Sequence, residues 1–188
     1  MRGNEAFREV LRDRLFPGRI PPSPDTAVTV PGNRLTLEGH ALNIGEVGHA
    51  DSDDCAVPDV PDLDLVVAGD VIYNGVHQYL GEAADDGLDA WRKAVDTVAA
   101  LEPRRIVASH QNKTLDDDEA RLVRETRQYF DDAEDVLADR DTPEAYFHAM
   151  LDRYPDRLGT TVLWVGARAL CLARDGGDPV QNLLTAWL

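Results

Sequence analysis

Lysine is nearly missing from this chain: Lys93 and Lys113 are the only two in 188 residues, and arginine makes up the rest of the 19 basic side chains. Set against 35 acidic residues, these leave a net charge of -16. Phosphate backbones are held by a clustered positive field, so the balance argues against a nucleic-acid surface and against anionic membranes. Cysteine is scarce as well. Cys55 and Cys171 lie far apart and form no CxxC pair, which suits buried thiols better than a disulfide framework. No apolar run approaches the ~20 residues that a spanning helix needs. The opening stretch, MRGNEAFREVLRDRLF, is amphipathic and charged, without the apolar core of a signal peptide. A cytoplasmic, soluble protein is the expectation. There is no internal repeat, no glycine-rich phosphate loop and no GxSxG nucleophile elbow.

What is present reads as globular, with 43% hydrophobic and 29% charged residues. The length allows one compact domain, or a large half of a bigger one. Asn4 to Leu15 carries Phe7, Val10, Leu11 and Leu15 at helical spacing, with Asn4 as a candidate N-cap. The prolines of FPGRIPPSP stop that helix. Strand-like runs follow: TAVTV, RLTLEG, ALNIGEV, CAVPDV and LDLVVAGD.

After Asp85 the apolar period lengthens to about 3.6. Leu88, Trp91, Val95, Val98 and Leu101 share one helix face, and Pro103 marks the junction to a short strand, RRIVASH. A long helix then opens on Asp116–Asp118, carboxylates that suit the positive end of a helix dipole, and carries Leu122, Tyr129 and Val136 as apolar positions. TPEAYFHAMLDRY starts with Thr142 as cap and Pro143 at the first helical position. TTVLWVGARALCLA is a last apolar helix or strand. Strands first, then helices with one strand between them, predict a sheet covered by helices on one face. The divisions are 1–24 for the leading helix and Pro-rich turn, 25–113 for the sheet, and 114–188 for a helical tail.

Three side chains share one kind of position. His49 follows the strand ALNIGEV, Asp70 ends LDLVVAGD, and His110 ends RRIVAS. Residues at the tips of neighbouring strands can converge on one rim of a sheet. Two imidazoles and a carboxylate are a sound first set of donors for zinc or ferrous iron. Each has an ordinary alternative: a histidine after a strand is commonly a hydrogen-bonded turn residue, and an aspartate there is commonly a cap or Asx-turn. Spacing alone leaves both readings open. His148 reads as an ordinary helix residue, and Trp91, Trp164 and Trp187 as core or interface.

Together, VGHADSDD, LDLVVAGDVIYNGVHQYL and PRRIVASHQNK resemble the second half of a metallo-β-lactamase-fold hydrolase, over roughly Leu35 to Lys113. The resemblance rests on Gly48-His49, Gly69-Asp70 and Ser109-His110, in that order. It implies an α/β fold, a half or truncated αββα sandwich with a mixed sheet. It implies that His49 binds a first zinc, Asp70 bridges, and His110 binds a second, with a metal-bound water as nucleophile. It also implies that Tyr73, Asn74 and His77 lie on the substrate side, against the plainer reading of an exposed histidine in a loop. Asp51, Asp53 and Asp54 are then expected to cap and orient the turn that presents His49. The acidic run lacks the central glycine and terminal glutamate of an EF-hand loop.

The superfamily's His-x-His-x-Asp-His motif does not occur here; His40 stands alone in a turn, and the chain opens on what would be a mid-domain helix. Ser109 stands where glycine is usual and is expected to crowd its turn. The site is therefore expected to be incomplete. Either His49, Asp70 and His110 hold one zinc, with iron the less favoured ion, or they hold none. A missing sandwich layer also leaves an apolar sheet face to be covered, for which a homodimer is the expected solution. The expectations are a hydrolase acting on a small-molecule ester, thioester, amide or lactone, or else a non-catalytic binding or dimerisation module, or a fragment of a longer hydrolase.

Overall fold

In the computed structural model, residues 13, 16–21, 28–83 and 87–174 are described, the last three by backbone alone. The expected leading helix, apart from Asp13, lies outside them, as does most of the Pro-rich turn. Within them the order is β1 (Arg34–Leu37), β2 (His40–Gly48), β3 (Cys55–Val60), β4 (Leu65–Gly69), α1 (Gly87–Ala99), β5 (Arg105–Ala108), α2 (Glu119–Asp139), α3 (Pro143–Arg153) and α4 (Thr160–Arg174). The expected strand TAVTV does not form over its described part: Val28–Val30 pair with nothing and lead into a 3₁₀ turn at Pro31–Asn33. The last apolar run is a helix, α4. No helix among the described residues is long and apolar enough to cross a membrane.

The five strands form one sheet in sequence order. β1 to β4 are an antiparallel meander, and β5 pairs parallel to β4. A parallel neighbour requires a crossover, and α1 is that crossover. Because side chains alternate across a sheet, register divides them into two faces. Val57, Val66, Ala68 and Ile106 belong to one buried cluster with Leu88, Trp91, Val95 and Val98 of α1 and Leu122, Tyr129, Phe130 and Val136 of α2. That is the helix-covered face, as the order of strands and helices predicts.

The helix ends follow from local chemistry. The Asp118 side chain accepts from the Arg121 N–H and Thr142 from the Ala145 N–H, each satisfying a donor that the first turn leaves unpaired. α1 stops at Ala99, so Leu101 lies past its end and is exposed rather than on the apolar face. α3 and α4 pack on each other and α3 on α2, so the tail lies outside the sheet-covering layer.

Trp91 joins core to rim. It is fully buried, its Nε1–H donates to the Val71 carbonyl at 2.8 Å, and its ring meets Phe130 and Tyr73 at 5.2 and 6.2 Å. Trp91→Phe deletes the donor and leaves that carbonyl unpaired, and is expected to cost about 1–3 kcal/mol in urea unfolding. Trp91→Ala is expected to cost about 3–5 kcal/mol in the same measurement.

Candidate active-site rim

β4 and β5 run parallel, so both end on the same side of the sheet. At Gly69 the backbone takes φ 58°, a left-handed turn open to glycine, and the next residue, Asp70, leaves the strand. Just past β5, Ser109 donates its N–H to the Gly69 carbonyl at 2.9 Å. Ser109 is not among the described residues of positive φ, so it needs no glycine and the expected crowding is absent. This pairing sets His110 Nε2 3.4 Å from Asp70 Oδ1.

Two further side chains complete the group. The Tyr73 ring stacks on His110 with centroids 5.2 Å apart and planes 19° from parallel. Its hydroxyl donates to Asp51 Oδ2 at 3.3 Å. Burial, and then the Asp70 carboxylate, push the Asp51 carboxyl up to about 6, against hydrogen bonds from Tyr73 and Ser52 and the attraction of His110. Burial also raises the Tyr73 phenol well above its ordinary range, so it remains a donor.

His49 is not in this group. Its Nδ1 faces Asp53 Oδ1 at 2.8 Å and its Nε2 faces the Glu82 carbonyl at 3.0 Å. Both ring nitrogens are thus turned to oxygen atoms of Asp53 and Glu82. Here it clamps the turn after β2 to the loop before α1. Asp53 does orient His49, but Asp51 points elsewhere, to Tyr73 and the rim. The reason lies in β2, whose pairing with β3 shifts register between Glu46 and Gly48. A β-bulge changes which residues reach the rim, and parity cannot be counted through it from the sequence. Asp51 is therefore the residue that sequence reasoning missed. Its only sequence signal was its place two residues after His49.

The other expected substrate-side residues are interior. Asn74 is buried; it donates to the Asp116 carbonyl at 2.8 Å and accepts from Arg121 at 3.1 Å. His77 is buried with Nδ1 3.2 Å from the Tyr129 hydroxyl. Arg157 donates to the Val76 carbonyl and lies over the rings of Tyr129 and Tyr154. These contacts tie the rim segment to α2 and to the α3–α4 connection. Gly75 permits the close approach: φ is 66°, and a Cβ there would meet Leu115 at 2.4 Å.

Asp70 Oδ1 is buried and makes no directed hydrogen bond, the 3.4 Å approach of His110 included. One carboxylate oxygen is thus unspent at the rim. A zinc site needs at least three converging donors. Among the described residues no three His, Cys, Asp or Glu side chains gather closely enough to hold a metal ion. With His49 engaged by Asp53 and Glu82, the zinc that the sequence resemblance implies does not fit the donors as placed.

No family model matches the chain, and no curated protein matches it in sequence. Solved structures do match. A metallo-β-lactamase family protein from Thermus thermophilus superposes with a TM-score of 0.57 at 21% identity, over 95% of this chain and 64% of that one. A metallo-β-lactamase from Pontibacter korlensis matches over 69% of this chain and 62% of that one, at 18% identity and a TM-score of 0.44. The metallo-β-lactamase IND-7 covers less, 58% and 49%, at 15% identity and a TM-score of 0.47. The Thermus match shows the fold: a mixed α/β sheet of the metallo-β-lactamase type. The chain spans about half to two thirds of the length of these neighbours.

Two outcomes follow. Tyr73→Phe removes a bond that holds the Asp51 carboxyl down, so its midpoint is expected to move above about 6, read by carboxyl NMR. Burial, then Arg157, lowers the His77 imidazole from 6.5 to about 4, so the folded chain refuses a proton that the unfolded chain takes up. Stability from this group is complete above about pH 6.5 and is lost as pH falls towards 4. His77→Gln should flatten that part of the slope, measured by urea unfolding at pH 7 and 5.

Proposed function

On a metallo-β-lactamase-type scaffold, we propose that the rim of Asp51, Asp70, Tyr73 and His110 hydrolyses a small ester, thioester, amide or lactone. The observation that carries the reading is the meeting of Asp70 and His110 at the ends of two parallel strands, with a carboxylate oxygen left unspent. Rigid strand ends are good places for reacting groups because their backbone is held by the sheet.

Each residue has a task that its surroundings support. Asp70 Oδ1 lies 3.4 Å from His110 on its Nε2 side as a nearby charge, and Tyr73 fixes the ring plane by stacking. His110 Nδ1 is then the nitrogen that takes a proton from water as the water oxygen attacks the substrate carbonyl. Asp51, whose carboxyl is held at about 6, keeps a proton below that pH and gives it to the leaving group. Divergent environments for neighbouring titratable groups are what separates an acid from a base. No step is routed through zinc, since among the described residues the donors for it do not assemble.

A binding or dimerisation module is the second reading, and one observation favours it. A groove of about 490 Å³ lies against Val28, Val30, Ile44, Glu46 and Ala56, away from Asp70 and His110. The rim itself is open, with the His110 side chain 55% exposed.

The test is hydrolysis of a panel of these four substrate types from pH 5 to 8, with and without a chelator. Turnover is expected to survive chelation and to fall as pH rises through about 6, where Asp51 loses its proton. His110→Ala and Asp51→Asn should each lose roughly 10²-fold or more, while His49→Gln stays within about tenfold. Turnover that requires added zinc would replace this mechanism with a metal-assisted one. No turnover on any substrate would leave the module reading.

A further inference from the structure

The sheet has a second face, opposite the helices. Register places Leu35 and Leu37 of β1, Leu42 and Ile44 of β2, Val67 of β4 and Val107 of β5 on it. None of the six belongs to the buried cluster of sheet and helices, nor packs against it, and Leu37 is 63% exposed. Charged side chains on this face are few. Arg105 lies at its β5 edge, 3.7 Å from Asp117, and His40 faces Asp62 at 2.6 Å. Glu46 is exposed and, among the described residues, has no ion pair. The chain also comes to the sheet from this side. Val28, Thr29 and Val30 form one wall of the groove whose lining includes Ile44, Glu46 and Ala56, three residues of the bare face.

We propose that the N-terminal segment of this chain, Asn4 to Leu15, covers the face with Phe7, Val10, Leu11 and Leu15 turned towards the sheet. Four apolar residues at helical spacing make a stripe that needs a surface to bury against. Asp13, the one described residue of the segment, is helical and exposed, as a position off that stripe should be. Reach is ample. Twelve residues, 16–27, link Leu15 to Val28 and extend to at most about 40 Å, while a sheet of five strands is about 19 Å wide. Charge decides between occupants. Residues 1–21 hold five arginines against Glu5, Glu9 and Asp13, a balance of +2, which leaves -18 on the other residues. A second copy brings its whole -16 to a face that carries the unpaired Glu46. Residues 175–188 bring two aspartates and no basic side chain, and they follow α4, which packs on the helix side of the sheet. Of the three, the N-terminal segment alone is net positive. Seated there it also fills the groove, leaving less room for a foreign partner.

This contact is independent of the proposed chemistry, because Asp70 and His110 stand at the strand ends and not on this face. Cys55 lines the groove and is partly exposed, whereas Cys171 is buried, so a nitroxide reagent added to the full chain labels Cys55. The nitroxide is expected to broaden the amide signals of residues 4–15 within the same, isotope-labelled chain. Phe7→Asp combined with Leu11→Asp should return those signals to full intensity and raise the binding of an apolar dye, with the signals of the sheet unmoved. Ile44→Lys should release the segment in the same way from the other side of the contact. Unbroadened signals from residues 4–15 in the wild type would overturn the proposal. Broadening at residues 175–188 instead would also overturn it, assigning the face to the C-terminal segment. So would broadening that arises only when nitroxide-bearing chains are mixed with separate isotope-labelled ones, the mark of a second copy.

Discussion

The parallel pairing of β4 with β5 is the constraint from which the candidate site descends. Antiparallel neighbours end at opposite sides of a sheet, and only a parallel pair delivers two strand ends together. The crossover through α1 makes that pairing possible and, through Trp91, also packs the rim against the core. Asp70 and His110 meet because of it. Tyr73 then adds the interaction that gathers the group, stacking on one member and donating to another.

The same rim shows how a fold and a metal site can come apart. The scaffold superposes on a metallo-β-lactamase family protein, yet a histidine expected to bind metal is used as a clamp. Its place at the rim is taken by Asp51, a carboxyl that burial and Asp70 hold near neutrality. In the proposed reading, an acid rather than an imidazole at that position serves proton transfer in place of nitrogen ligation. Meanwhile Asn74 and His77, expected beside a substrate, hold the rim segment to the helices.

Much of the architecture was legible without coordinates. β1 to β4 and α1 lie where alternation and the change to a 3.6 period put them, because each buries one face. Thr142 and Asp118 cap their helices for reasons that are purely local. Val28–Val30 looked like a strand by composition, but a strand needs a partner, and β1 is the edge of the sheet. α4 was ambiguous because an apolar run does not declare its period.

What the residues determined by themselves was the order of elements, the acidic surface and the presence of Asp70 and His110 at strand ends. Those depend on near neighbours in the chain: period, caps, turn glycines and charge. Tertiary structure alone decided that Asp51 rather than His49 joins them, since a bulge in β2 redirects the chain by an amount no local pattern encodes. It also decided that His77 is buried and that one face of the sheet has no layer across it among the described residues. Burial and convergence are relations between segments far apart in sequence, and only packing brings those segments into contact.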